Sequence, residues 1–196
     1  MTLQDRTKGR SLLNYWYNES TLEERESGKV WYDEAKEYVK ILSLRFDTPQ
    51  LICAGVLSAL SPNNRWERNK LDAHTVLDAV SKSLSSSQVK VCTFNNNKEK
   101  AFAIARGDIK ILQQSPKTYA FAKNISGEDI NKVTIDKWHL RAIQTRSSSP
   151  KACKTSVTPL QYKLLEKDCQ KVAKKYNINP STLQAIVWVT IRNRWT

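Results

Sequence analysis

Glycine and proline are scarce, five and six residues of 196, which argues against a loop-rich β architecture. No run of roughly eighteen apolar residues occurs, so no membrane-spanning segment is expected. Residues Met1 to Lys8 lack the apolar stretch of a signal peptide, and the expectation is an intracellular, cytoplasmic protein. The four cysteines, Cys53, Cys92, Cys153 and Cys169, are 39, 61 and 16 positions apart. No CxxC pair and no common zinc or iron–sulfur spacing results, so reduced thiols are expected and no metal is needed. There is no internal repeat and no nucleotide-binding loop, and activity without a cofactor is the default.

What the chain does carry is positive charge, unevenly placed. Residues 1–50 hold 8 basic and 9 acidic side chains, residues 51–150 hold 15 and 8, and residues 151–196 hold 9 and 2. The net +13 therefore belongs to the body behind a nearly neutral first quarter. Such a field favours a polyanion, with binding that weakens steeply in salt as counterions are released. A solubilising surface, or a basic face for a ribosome or membrane, would give the same numbers.

At this length, with 40% hydrophobic and 26% charged residues, one globular domain or two small lobes sharing a core is expected. Val30, Ala35, Tyr38, Leu42 and Phe46 share one face of a helix over 29–46. Asp47-Thr48-Pro49 then stops it, with Thr48 expected to cap the next helix and Pro49 to open it. Leu51 to Leu60 is apolar nearly all round and reads as central core. Further helices are expected over Arg65–Val80, from a cap at Asn95-Asn96-Asn97 to Gly107, over Pro116–Ile125, and over Leu160–Tyr176. A last helix follows Asn179-Pro180-Ser181, with Trp188 and Trp195 as core and edge packing. Ser147-Ser148-Ser149-Pro150 reads as a linker. The fold class is all-α, with about eight helices.

Residues 133–143 carry the most chemistry. A short β-favouring run, Val133-Thr134-Ile135, ends at Asp136, where a helical pattern starts, so this carboxylate stands at a helix N-terminus. Lys137, Trp138, His139 and Arg141 follow it. Nineteen positions upstream, Lys117 opens another helix. A fixed carboxylate stabilises positive charge developing on a sugar and orients a nucleophile. A neutral lysine amine attacks a sugar carbon to give a Schiff base. Asp136 would serve equally as a plain helix cap, and Lys117 as a phosphate contact.

The order of parts resembles the helix-hairpin-helix DNA glycosylases of the endonuclease III type. Leu57 to Asn64, followed by Asn69 and Ala73, is similar to that family's buried helix, polar insertion loop and next helix. Asn96 to Ala105 resembles its "K-A-x-x-I" helix, and Lys117 to Asp136, with Arg141 beyond, its lysine-hairpin-aspartate core. A closer resemblance is to small phage and actinobacterial proteins linked to thymidine hypermodification. Their phrases "A-L-S-P-N-N-x-W-x-x-N", "P-K-x-x-x-F-x-x-N-I", "V-T-I-D-x-W" and "L-Q-A-I-V-W" stand here at 59–69, 116–125, 133–138 and 183–188. The hairpin departs from the family: Ile111 to Lys117 contains neither of the glycines that bring backbone N–H groups against a phosphate. The iron–sulfur cysteines of endonuclease III are also missing.

The resemblance implies a two-lobed helical bundle, with residues 50–145 as one lobe and 1–49 plus 146–196 as the other. It implies Asp136 and Lys117 as catalytic residues acting on a base flipped from double-stranded DNA. Asn63, Asn64 and Arg65 would fill the gap left in the stack. Lys98, Lys100, Gln114, Ser115, Lys123 and Arg141 would hold DNA. Trp66, Trp138 and His139 would line the base pocket, although Trp66 also falls in phase with the helix core and His139 reads equally as structural. A monomer is favoured. Three functions remain open: a DNA glycosylase with or without lyase activity, a glycosylase-fold enzyme of pyrimidine hypermodification, and a non-catalytic DNA-binding protein.

Overall fold

A computed structural model describes residues 2–147 and 153–195. Ten helices are present among them: α1 (Leu3–Asn18), α2 (Leu22–Phe46), α3 (Gln50–Leu60), α4 (Trp66–Ser81), α5 (Asn95–Ala105), α6 (Lys110–Gln113), α7 (Pro116–Ser126), α8 (Lys137–Ala142), α9 (Pro159–Lys175) and α10 (Pro180–Trp195). A 3-10 turn covers Ser86–Gln88, and the described residues contain no strand. The fold is all-α. Most of the expected serine linker at 147–150 lies outside the described residues.

The chain divides into two compact units. Unit 1 comprises residues 1–34 and 130–196; unit 2 comprises residues 35–129. The divisions fall within α2 and after Asp129, earlier than the 49/50 and 145/146 junctions read from the sequence. Asp136 thus belongs to unit 1 and Lys117 to unit 2, where one lobe was expected to hold both. Unit 1 carries 18 basic and 10 acidic residues and unit 2 carries 14 and 9, so both are cationic.

Unit 2 is built around α3. Cys53 to Leu60 are all buried, as the all-round apolar pattern requires. Each buried leucine there contributes about 2 kcal/mol. Gly55 permits the packing: a Cβ at that position would lie 2.8 Å from Ile104 and 2.9 Å from Leu112. Two expected caps are shifted. Thr48 does not cap α3; its hydroxyl donates to the Phe46 carbonyl at 3.0 Å, and Pro49 occupies the cap position without a side-chain bond. Asp47, at φ 46°, makes the left-handed turn between α2 and α3. Asn95, Asn96 and Asn97 lie inside the first turn of α5 rather than capping it, and Asn97 Nδ2 donates to Thr93 Oγ1 at 3.1 Å.

Unit 1 packs α1, α8 and α9 against α10, whose Leu183, Ile186, Val187 and Ile191 are buried. The first part of α2 joins them through Gly28, where a Cβ would lie 2.6 Å from the Ile186 Cα. α1 was not expected. It starts with a capping box, Asp5 N donating to Thr2 Oγ1 and Thr2 N to Asp5 Oδ2. Buried Asp168 of α9 anchors it, accepting from Arg6 Nε at 2.7 Å, Arg6 Nη2 at 2.8 Å and Arg10 Nη1 at 2.8 Å. A second capping box, Thr21 with Glu24, starts α2 seven residues before the expected 29. Glu24 is buried and binds Arg194 of α10 at 2.6 Å. Burial alone would raise its pKa, but the bonds from Arg194, the Thr21 backbone and Asn193 hold it below the ordinary carboxylate value.

Candidate functional site

The expected β run 133–135 is irregular backbone, neither helix nor strand. Such a segment leaves its peptide groups in need of partners, and side chains of α9 supply them. Tyr162 Oη donates to the Val133 carbonyl at 2.7 Å and accepts from Ile135 N at 3.1 Å. Glu166 accepts from Val133 N at 3.2 Å and from Lys132 Nζ at 3.3 Å. Gln170 Nε2 donates to the Asn131 carbonyl at 3.0 Å. Tyr162, Glu166 and Gln170 follow one another at i, i+4 on a single helix face, and form a rail along which residues 131–135 run.

The rail delivers Asp136 to the N-terminus of α8. There Oδ1 accepts from Trp138 N at 3.0 Å and from His139 N at 2.8 Å. The carboxylate is half-buried. Its charge reaches two buried phenols, Tyr32 and Tyr162, whose pKa values are raised first by burial and further by Asp136, so that both stay neutral. Tyr32 Oη donates to Gln184 Oε1 at 2.9 Å. The helix-cap role read for Asp136 is therefore present, and it also fixes one edge of the carboxylate in space.

The neighbours of Asp136 divide sharply. Trp138 is half-buried, with the Arg141 guanidinium 4.9 Å from its ring centre. His139 is only 2% exposed, so its ring has no open face for a base to stack on. Neither ring nitrogen has a hydrogen-bond partner, and burial lowers its pKa to about 4. Two shallow depressions of 470 and 560 Å³ occur in unit 1, one between Lys8 and Arg146, the other beside Asn131 and Gln170; Asp136 lines neither.

In unit 2 the insertion loop after α3 is held by an aspartate that sequence reasoning passed over. Buried Asp72 accepts from Asn64 Nδ2 at 2.9 Å, Arg68 Nε at 2.9 Å and Cys92 N at 3.0 Å. Asn64 is thus engaged in holding the loop, while Asn63 (φ 59°) and Arg65 are exposed at its tip. Trp66 is half-buried and meets Phe121 edge-on at 6.5 Å.

Beyond that loop, Lys98 donates to the Val89 carbonyl at 3.3 Å, and Lys100 is exposed. α6 and α7 are joined by exposed Gln114 and by Ser115, which caps α7 through Thr118 N. Lys117 is half-buried at the second position of α7 and forms no ion pair among the described residues. Lys123 is engaged with Glu128, which raises its pKa, and sits 5.5 Å from the Tyr119 ring. Of the basic residues expected to hold DNA here, Lys100 is exposed and Lys123 is neutralised within the fold.

A family comparison matches residues 2–195 with the Family of unknown function (DUF7178). The chain belongs to that family. No curated protein and no solved structure matches it. Among the described residues of this DUF7178 member, no three His, Cys, Asp or Glu side chains are grouped so as to hold a metal ion. No helix there is long and apolar enough to cross a membrane. The four cysteines are free thiols, Cys53 and Cys169 buried.

The rail yields a direct expectation. Tyr162→Phe removes a donor and an acceptor from buried peptide groups, leaving both unsatisfied, and should cost about 3 kcal/mol. Chemical denaturation of the variant checks this. An unchanged midpoint would mean that Tyr162 does not hold the segment.

Proposed function

We propose that this chain is a DNA N-glycosylase of helix-hairpin-helix type, cleaving the bond between deoxyribose and a modified or damaged base. The observation that carries the reading is Asp136: a half-exposed carboxylate with one edge bound by two backbone N–H groups, on a segment fixed along its length by α9. The four sequence phrases in family order and the net +13 charge support it.

In this reading the C1′–N bond breaks and its electron pair leaves with the base. The Asp136 carboxylate stabilises the cationic sugar and takes the proton of the attacking water. With Lys117 as nucleophile instead, the neutral amine nitrogen bonds to C1′ as the base departs with the C1′–N electron pair and a proton. The C1′–O4′ bond then breaks, its electron pair and a proton going to O4′, to leave a Schiff base. The substrate is double-stranded DNA with the target base turned out of the stack. Trp138 offers that base an aromatic face.

Sodium borohydride added to the protein on abasic-site DNA is expected to trap a covalent adduct, and Lys117→Gln to abolish it. An adduct that persists in Lys117→Gln assigns the amine elsewhere. No adduct with the wild type, alongside intact base release, leaves a glycosylase working through water alone.

One observation favours a second reading. The turn between α6 and α7 has no glycine, and Ser115 there is extended at φ −127°, so the close phosphate approach of repair glycosylases is missing. An enzyme on the same scaffold that exchanges a group on a hypermodified pyrimidine needs less grip on a long duplex. Nucleoside mass spectrometry of treated phage DNA separates the two: a new nucleoside supports modification, a free base supports excision.

A further inference from the structure

The last helix was read as ending in packing tryptophans, yet Trp188 and Trp195 are both half-buried, and they extend a row of rings across unit 1. The Trp195 ring lies 6.2 Å from Trp138, tilted by 34°, and 5.6 Å from buried Trp16, edge-on. Trp188 lies 6.3 Å from Trp31. Between the two groups stands exposed Arg192, its guanidinium 4.6 Å from the Trp188 ring and 5.9 Å from the Trp138 ring. Trp138 also has Arg141 at 4.9 Å and Lys137 at 5.9 Å.

These cations differ from three arginines of unit 1 that are taken up by buried acids. Arg6, Arg10 and Arg194 are spent on Asp168 and Glu24. Lys137, Arg141 and Arg192 form no ion pair among the described residues, and Arg141 Nε is buried without a hydrogen-bond partner. Partly exposed indoles alternate with positive charge that no ion pair among the described residues compensates. Indoles stack on bases of any sequence, and guanidinium groups pair with the phosphates between them. An acidic peptide would answer the charge and leave the rings idle. A bilayer would call for aliphatic side chains beside the indoles, and no exposed large aliphatic residue lies on α8 or α10.

We propose that the Trp138–Trp195–Arg192–Trp188 strip is a platform for single-stranded nucleic acid, binding by base stacking and phosphate pairing. The inference goes beyond base excision and does not require it, since only Trp138 and Arg141 are shared with the site around Asp136. On the excision reading, the platform would hold a strand parted from its complement.

The test uses the full chain and a short fluorescein-labelled oligothymidylate, followed by anisotropy at low salt. Trp188→Ala is expected to weaken binding by about tenfold, within the range for loss of one stacked base. Arg192→Gln, at an exposed position that leaves the fold intact, should weaken it and reduce the salt dependence by about 0.7 in log–log slope, one phosphate on a single strand. An abasic oligomer of the same length should bind the wild type about tenfold more weakly than the oligothymidylate. The proposal is overturned if abasic and thymidylate oligomers bind alike, if Arg192→Gln binds as the wild type does, or if the substitutions instead abolish attachment to phosphatidylserine vesicles. Loss of base release by Asp136→Asn with oligothymidylate affinity intact separates this surface from the catalytic proposal.

Discussion

Asp136→Asn is expected to slow base release by on the order of 10²–10³-fold, the size of effect seen when one preorganised electrostatic contact to a transition state is lost. Asparagine is a good helix N-cap and keeps an oxygen where Trp138 N and His139 N donate, so the fold should hold. DNA affinity should stay within about twofold, because backbone phosphate contacts, not this carboxylate, dominate it. Single-turnover assays with the DNA saturated would show the loss in kcat alone. Were Asp136 only a cap, release would proceed at the wild-type rate.

Acidification should destabilise the protein through His139. The buried ring stays neutral in the fold down to about pH 4, whereas in the unfolded chain it gains a proton near 6.5. Between these values the unfolded state binds more protons, so the contribution to stability is complete above pH 6.5 and is lost as pH falls toward 4. From pH 7 to 5 the loss should be about 2 kcal/mol. Glu24, with its depressed pKa, adds to acid loss only below the ordinary carboxylate value of 4.5. His139→Leu should flatten the dependence between pH 7 and 5. At pH 7 it should cost little or stabilise, because two unpartnered ring nitrogens leave the interior. Urea midpoints of both proteins at the two pH values check this; equal shifts in both would show that the ring is not held neutral.

The parts legible in the sequence are those where one physical signal dominates. α3 is apolar all round and could only be core. Asp136 follows a β-favouring run and precedes a helical pattern, which places it at a helix start. What escaped reading depends on distant pairing. α1 carries Arg6 and Arg10 where an apolar stripe would be sought, and they are drawn inward by Asp168, 162 and 158 residues away. The expected β run has no partner strand because Tyr162 and Glu166 take the place of one.

A signal for that rail was present. Residues 151–196 contain only two acids, Glu166 and Asp168, among nine basic residues, and both are buried at structural junctions. An isolated acid in a basic stretch is a better marker of an internal partner than any charge pattern around it. The Thr21–Glu24 capping box was likewise readable from residue types at the right spacing. The tryptophans of α10 escaped for a different reason: periodicity assigns them a side of the helix, but not whether a neighbour covers it.

The central claim is that the carboxylate held at the start of α8 drives release of a base from DNA, and mass spectrometry of the small molecules freed from phage and host DNA tests it most directly. The account predicts a free base in the wild-type digest that is absent with Asp136→Asn. A protein that binds every such DNA yet frees no base from any of them would contradict it.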